Sequence, residues 1–363
     1  MTSFTIAVLA GDGIGPEVTA EAVRVLNAAA ELHGFGLRLA EYAIGAAGVD
    51  EAGDALPPRT RGGVLNADAV LLGAVGSPRL ASATGVQRPE AGLLALRKLL
   101  GVYANLRPVT IHPALREVSP IRAERLDGVD LLIVRELTGG LYYGEPRGRD
   151  AEGAVNTLRY SVAEIERVAR VAFRSAQERR GAITSVDKAN VLEVSQLWRD
   201  TVTRIAGEYP NVLLEHLYVD YAAMRLITHP ASIDVLLTEN LFGDILSDEA
   251  GVLAGSLGLL PSASLGDGPG LFEPVHGSAP DIAGRGIANP IGAIASAAML
   301  LRHGLGLQDA AQGVERALAT VVEAGARTRD IAQPGERTLS THEMGSEIAR
   351  AVLQGRTVEA IGR

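Results

Sequence analysis

Apolar residues fall along this chain in two alternating rhythms. The run at residues 5–10, TIAVLA, stops at a glycine turn and reads as a buried strand. Val18, Ala22, Val25, Leu26, Ala29 and Leu32 follow at helical spacing, behind Pro16, a residue that the first turn of a helix tolerates. Strand then helix is the opening unit, and it recurs. Residues 69–75 and 131–134 predict buried strands, and Ser161 with Glu164 forms a capping box ahead of a stripe of Ile165, Val168, Ala169, Ala172 and Phe173. Residues 183–186 predict a strand followed by a helix carrying Val194, Leu197, Trp198 and Ile205; residues 212–214 and 235–238 predict two more strands. Such alternation implies α/β layers with at least partly parallel strands. No repeat and no low-complexity linker marks a boundary.

Length and composition narrow the class. A chain of 363 residues is expected to form two lobes, because single cores stop growing near ~250–300 residues. The net charge of −9 comes without any basic tract, so nucleic acid is not an expected partner. The most apolar stretches, residues 291–301 and 250–260, both contain glycine and fall short of the roughly 20 residues that span a membrane. They are expected to be buried core, with no membrane partner. The absence of cysteine rules out disulfides, thiolate metal sites and cysteine nucleophiles, and suits the cytoplasm. MTSFTIAVLAGDG shows neither the basic leader nor the apolar run of a signal peptide, so none is expected.

Gly11-Asp12-Gly13-Ile14-Gly15-Pro16 lies between a strand and a helix without being a dinucleotide fingerprint. That motif needs glycine at position 16, where this chain has proline, and no Gly-Lys-Ser/Thr ending supports a triphosphate loop. A tight turn requiring positive φ and a ligand-contacting loop both remain open at this level.

The more informative chemistry is acidic. Asp244 and Asp248 are spaced to share one helix face. Close carboxylates repel unless a cation or a proton lies between them, and hard oxygen donors without histidine or cysteine favour Mg²⁺ or Mn²⁺. A solvated helix face is the ordinary alternative. Phe242, Ile245 and Leu246 weigh against it and place the acids at the edge of a buried site, with Asp220 as a possible third ligand. Arg97, Arg107 and Arg135 are candidate forks for carboxylates, each with a surface ion pair as its alternative. Lys188 follows a strand, where sites form in α/β folds. These residues together indicate a divalent-metal site for an anionic small molecule.

Longer segments then carry a resemblance. They are GDGIGPEV at 11–18, PEAGLLALRK at 89–98, ANLRP at 104–108, VRELTGGLYYGEPRG at 134–148, SVDKANVLE at 185–193, VD at 219–220, TENLFGDILSDEA at 238–250, GSLGLLPSASLG at 255–266 and EPVHGSAPDIAGRGIANP at 273–290. In this order they resemble the β-decarboxylating dehydrogenases of the isocitrate/isopropylmalate dehydrogenase family, over nearly the whole chain. The resemblance implies two α/β domains with mixed sheets flanked by helices, not a Rossmann fold. One domain, residues 1–102 plus 255–363, would bind the cofactor. The other, residues 103–254, would carry the dimer contacts and the metal and catalytic groups. It further implies a homodimer with shared active sites, in which Lys188, Val191 and Asp220 serve the partner's site.

Roles follow by position. Arg97, Arg107 and Arg135 match the arginines that hold the malate carboxylates, and Asp220, Asp244 and Asp248 match the ligands of Mg²⁺ or Mn²⁺. Lys188 matches the general base, a role that needs some neutral amine near pH 7. Tyr142 matches the acid that protonates the enolate. His276, Gly277, Ser278, Ala279, Asp281 and Ile282 resemble the adenosine-binding loop, with Asn289 on the adenine side and Ile14 near the glycine loop. Asp281 favours NAD, since a carboxylate accepts from ribose hydroxyls and repels a phosphate. His276 also reads as a structural histidine. Glu90, Leu93 and Leu94 bear on substrate choice. Isocitrate enzymes place polar residues where this chain has two leucines, so an apolar substituent is expected and the substrate implied is 3-isopropylmalate, on the route to leucine. Packing of their own helix is the alternative for the two leucines.

Residues 77–87, SPRLASATGVQ, lack the Trp-Asp pair common in this branch of the family, which bears on loop geometry near the cofactor. The rival substrates are D-malate, tartrate and isocitrate. The rival class is a non-catalytic regulatory subunit, against which stand Tyr142, Lys188 and the three aspartates.

Overall fold

The computed structural model describes residues 2–359. The chain divides into two compact units. The first is built from Met1–Gly101, His112–Val118 and Ser256–Arg363; the second from Val102–Ile111 and Ser119–Gly255. His112–Val118 therefore packs with the chain's ends and not with the stretch that surrounds it. Arg327 donates through Nη2 to the Ala114 carbonyl at 2.9 Å and so holds that segment.

In the first unit the strands β1 (Ser3–Gly11), β2 (Gly36–Glu41) and β3 (Ala69–Ala74) lie in the order β2-β1-β3, all parallel. The β3 sequence AVLLGA is buried at every position, as a central parallel strand requires. The late strands β11 (Pro261–Gly266) and β12 (Gly270–Pro274) complete this sheet, β12 parallel to β3 and antiparallel to β11. Helix α1 (Gly15–His33) packs against α10 (Ile291–Met299) and α12 (Thr341–Glu359). Between these elements lie α2 (Ala46–Ala52), α3 (Pro58–Leu65), α4 (Pro89–Leu100) and α11 (Gln308–Glu323).

In the second unit β4 (Val102–Thr110) pairs antiparallel with β5 (Asp130–Glu136). Strands β10 (Val235–Thr238), β8 (Ala182–Asp187) and β9 (Leu213–Tyr218) follow beside β5, each parallel to its neighbour. The remaining elements are α5 (Ala123–Leu126), α6 (Val162–Gln177), α7 (Glu193–Ala206), α8 (Val219–Thr228), α9 (Asn240–Ala254) and a small hairpin of β6 (Gly148–Arg149) and β7 (Ala154–Val155). The α6 capping box forms in both directions, and its stripe from Ile165 to Phe173 is fully buried. The strand expected at residues 212–214 runs from 213 to 218, carrying β9 to the start of α8.

Two expectations need correction. The stretch 291–301 is core at every position but Ala295, whereas 250–260 is not core, since Val252 and Leu257 remain 42% and 43% exposed. Ile245 was expected to bury the acidic segment and is itself 59% exposed. Helix α9 buries only one side within its own unit, and its other apolar side stays uncovered in the single chain.

The glycine loop resolves as a turn. Gly11 and Gly13 have φ of +73° and +59°, in the left-handed region that glycine alone enters cheaply. The Asp12 carboxylate accepts from Ala46 N at 3.0 Å, Ala47 N at 3.2 Å and Gly76 N at 2.9 Å, tying the turn to the start of α2. Ile14 N donates to the Ser278 carbonyl at 2.9 Å. A Cβ on Gly13 would lie 2.0 Å from that oxygen, so the turn is the seat of the 276–282 loop. Gly34 shares the positive φ, +72°, but a Cβ there meets nothing within 4 Å. Gly34→Ala is therefore expected to cost only the backbone penalty of about 1–2 kcal/mol, and Gly13→Ala measurably more. Thermal midpoints of the two variants check this, and equal losses would remove the seat from consideration.

Candidate active site

The second unit gathers its polar side chains where β4, β5 and α9 meet. Arg107 and Asn105 alternate on one face of β4, and Arg135 pairs in register with Asn105 across the antiparallel ladder. Both arginines are buried, at 8% and 1% exposure. Each is held by neutral partners before it meets an acid. Arg107 Nε donates to Asn105 Oδ1 at 2.8 Å and Nη1 to Ser247 Oγ at 2.7 Å. Arg135 Nε and Nη2 donate to Asn240 Oδ1 at 3.1 and 2.7 Å.

The remaining guanidinium edges converge on α9. Arg135 Nη1 bonds Asp244 Oδ1, and Arg107 Nη2 lies 3.7 Å from the same oxygen. Tyr142 OH donates to Asp244 Oδ2 at 2.7 Å. Asp248 stands one turn on, 3.4 Å from Arg107 Nη1, with a side chain 62% exposed. Burial works to raise the Asp244 pKa, but Arg135, the tyrosine hydroxyl and Arg107 outweigh it and hold the carboxyl below its ordinary value. Burial, with the charge of Asp244 added, pushes Asp248 up against Arg107. Burial and the bond to Asp244 push the Tyr142 phenol up to about 12. This tyrosine holds its proton at neutral pH.

Behind these groups lies a layer that sequence reasoning missed. Glu136, fully inside, accepts from Thr138 N, Gly139 N and Tyr160 OH at 2.8–2.9 Å. Tyr160 OH in turn accepts from Asn240 N at 3.1 Å, and Asn240 Nδ2 donates to the Gly139 carbonyl. Asn240 thus links the Arg135 fork to the turn that carries Tyr142. Asn105, two residues before Arg107 on a common strand face, was the one member that spacing could have flagged.

A second cluster in the same unit lies at the ends of β8 and β9. Lys188 Nζ donates to Asp220 Oδ1 at 2.6 Å, and that bond holds the Asp220 pKa below its ordinary value. Val191 is 67% exposed beside it. Among the described residues, no group of three His, Cys, Asp or Glu side chains is placed to hold a metal ion. Asp220 is therefore not gathered with Asp244 and Asp248 within one chain; it sits in the first turn of α8, paired with Lys188. The two α9 acids still suit a hard cation. They are oxygen donors on adjacent turns, and the Asp248 side chain is 62% exposed and so open to a cation.

The first unit carries the other candidates. Arg97 Nη2 donates to Glu273 Oε1 at 2.9 Å, both side chains being nearly buried. Glu90, at the exposed start of α4, pairs with Arg88 at 3.3 Å, and Leu93 and Leu94 lie half-buried, outside the core that Leu96 and Leu100 enter. In the 276–282 loop, Ala279 holds a φ of +37°, alone among the described non-glycine residues in being positive. His276 Nδ1 bonds the Gly277 carbonyl at 2.9 Å, while its buried Nε2 has no hydrogen-bond partner among the described residues. Burial lowers the His276 pKa, so the ring is neutral. Gly277 and Asp281 face solvent, and Ser278 and Ile14 are buried. Asn289 spends its amide on Asp330 Oδ2 at 3.0 Å and on Ile291 N at 3.0 Å, fixing the start of α10. Glu17 accepts from Gly284 N and Gly286 N and ties the same loop to α1. A buried imidazole nitrogen without a partner among the described residues, an open glycine and an exposed carboxylate within one loop fit the edge of a nucleotide.

Buried arginines aimed at a carboxylate pair, with a protonated tyrosine beside them, are chemically suited to small carboxylic acids and a hard cation. Residues 5–348 match the isocitrate/isopropylmalate dehydrogenase family, and the chain belongs to it. It is 55% identical over 350 residues to the 3-isopropylmalate dehydrogenase of Wolinella succinogenes, covering 96% of this chain and 98% of that one. It is 57% identical over 347 residues to the 3-isopropylmalate dehydrogenase of Salinibacter ruber, covering 96% and 95%. Among solved structures, isocitrate dehydrogenase from Methylococcus capsulatus superposes with a TM-score of 0.86 at 36% identity, over 97% of this chain and 100% of that one. A β-decarboxylating dehydrogenase from Thermococcus kodakarensis gives 0.81 at 39% identity, over 99% of both. The fold is the mixed α/β sheet architecture of these dehydrogenases, and the chain is an oxidoreductase of that family.

Proposed function

We propose that the protein oxidises and decarboxylates 3-isopropylmalate to 4-methyl-2-oxopentanoate and CO₂ in leucine biosynthesis, with NAD as the acceptor and Mg²⁺ or Mn²⁺ bound. The observation that carries the reading is the convergence of Arg107, Arg135 and Tyr142 on Asp244, with Asp248 one turn away. Asp244 and Asp248 would hold a divalent cation, which would supply Lewis-acid polarisation of the substrate's hydroxyl and carboxylate, and bound NAD would supply the hydride acceptor. Arg107 and Arg135 grip the carboxylates. Their forks are set in advance by Asn105, Ser247 and Asn240, so little reorganisation is needed on binding. Lys188 removes the hydroxyl proton. Tyr142, kept protonated by its surroundings, returns a proton to carbon after CO₂ leaves.

Asp244 and Asp248 take their third carboxylate, Asp220, from a second copy of the chain. Tyr221 and Met224 on α8, with Ile245 and Val252 on α9, are large apolar side chains 42–62% exposed on two helices that pack together. A homodimer covers them and brings Lys188, Val191 and Asp220 to the neighbour's site. The unit with the discontinuous chain binds NAD through the 276–282 loop, where Asp281 accepts from the adenosine ribose. The enzyme works in the cytoplasm; no helix among the described residues is long and apolar enough to cross a membrane.

Substrate choice rests on Leu93 and Leu94. An isopropyl group matches their half-buried methyls, whereas a third carboxylate placed there would lack a partner. The test follows nicotinamide reduction by the purified protein with Mg²⁺, pairing NAD or NADP with 3-isopropylmalate, D-malate, tartrate or isocitrate. Turnover confined mainly to 3-isopropylmalate with NAD is expected. Preference for D-malate or isocitrate refutes the reading of the leucines, preference for NADP that of Asp281, and no turnover at all the catalytic reading.

A further inference from the structure

We propose that Arg199 is a positioning residue that locks the Lys188 turn to the strand end leading into Asp220, so that base and metal ligand reach the neighbouring site as one rigid pair. The inference rests on the roles proposed above for Lys188 and Asp220. Arg199 Nε and Nη2 donate to Asp187 Oδ2 and Oδ1, both at 2.9 Å, in a two-point fork. The Asp187 side chain is 1% exposed and cannot itself reach a ligand. Its Oδ1 also accepts from Ala189 N at 2.9 Å, so this one carboxylate spans the residues on either side of Lys188. The Lys188 carbonyl accepts from Val191 N and Leu192 N, both at 3.0 Å, closing the turn into α7.

The same guanidinium reaches the second strand. Its Cζ lies 5.1 Å from the centroid of the Tyr218 ring, and Lys188 Nζ lies 6.0 Å from that ring. Asp187 and Tyr218 are register partners across β8 and β9. Tyr218 caps α8, whose second residue is Asp220. Arg199 itself starts from fixed backbone, because its neighbour Trp198 is buried and bonds Ser185 Oγ through Nε1 at 3.3 Å. One planar cation therefore grips the residue before the base and stacks on the residue two before the metal ligand. Lysine has neither the fork nor the flat face to do both.

The experiment uses the full chain with Arg199→Lys, Arg199→Ala, Lys188→Ala and, as a control, Arg170→Ala. Arg170 pairs on the surface with Glu166 at 3.1 Å and Glu208 at 2.9 Å. Turnover, KM for 3-isopropylmalate, the Mn²⁺ concentration for half activity, dimer state and thermal midpoint are read for each. Supporting residues behind metal ligands typically carry about 10- to 100-fold. Both Arg199 variants are expected to lose kcat by that factor and to need more Mn²⁺, with KM little changed. Added guanidinium restores part of the activity of Arg199→Ala and none to Arg199→Lys, and Arg170→Ala turns over normally. Wild-type kcat in folded, dimeric Arg199→Lys, with Lys188→Ala inactive, overturns the clamp. So does a loss confined to thermal midpoint. Activity surviving in Lys188→Ala overturns the clamp and the assigned base together.

Discussion

Lys188→Ala is expected to fold, dimerise and lose about 10²- to 10⁴-fold in turnover, the span associated with a positioned general base. Its side chain is part-exposed and makes one ion pair, to Asp220, so truncation removes chemistry and little packing. The same substitution also tests the shared site. Among the described residues Asp220, the partner of Lys188, is not grouped with Asp244 and Asp248. Within a two-fold dimer, a Lys188→Ala chain can still offer its Asp244 and Tyr142 to a partner's intact Lys188. Co-expressing Lys188→Ala with Asp244→Asn makes half the dimers mixed, each with one intact and one doubly altered site, so about a quarter of normal activity returns. Steady-state rates of the separately tagged and purified mixture check the figure. Absence of any recovery would show that both clusters serve the same chain's site.

Gly243→Ala is the second large effect expected, and it acts through Arg135. A Cβ at position 243 would lie 2.6 Å from Cγ of Arg135, 2.8 Å from its Cβ and 3.1 Å from its Cδ. These atoms are the root of a side chain 1% exposed, held by Asn240 at its far end, so they cannot swing aside. Alanine gains about 1 kcal/mol over glycine in a helix, while overpacking of this kind costs about 1–3 kcal/mol. The net change in stability is therefore a modest loss. Activity is more exposed, because a displacement of about 1 Å in a group that orients the substrate costs on the order of 10²-fold. Denaturant melts beside kcat/KM separate the two quantities. Unchanged kinetics would mean that the Arg135 fork does not set the substrate's position.

How much of this was legible beforehand depends on what each residue's neighbours reveal. Strand β3 and helix α6 announce themselves because every position follows one period, and the structure buries them accordingly. Strand β4 does not, because Asn105 and Arg107 interrupt its apolar run while being buried. Strand β12 carries buried Glu273 within a short segment, and β2 is half-exposed along its length, so neither shows a clean alternation. The helical spacing of Asp244 and Asp248 was readable. Their meeting with Arg107 and Arg135 was not, since it depends on the register that sets Asn105 opposite Arg135. Ile245 misled for a related reason. Apolar character marks a residue as suited to burial, and it does not say whether its own chain buries it. The glycine loop lay between two readings until the Ser278 carbonyl appeared over Gly13, a contact more than two hundred residues away in sequence.

The division of the chain also sets an order of assembly during synthesis. Strands β5 to β10 find all their strand neighbours within residues 102–255, so most of the second unit can form before residue 256 is made. Strand β3 emerges early, yet β12, which covers its free edge, is encoded near the far end. On the ribosome the opening βα segment therefore waits with an unpaired apolar edge while the middle of the molecule is already native. That nascent edge is where a chaperone, or another unfinished copy, would first take hold.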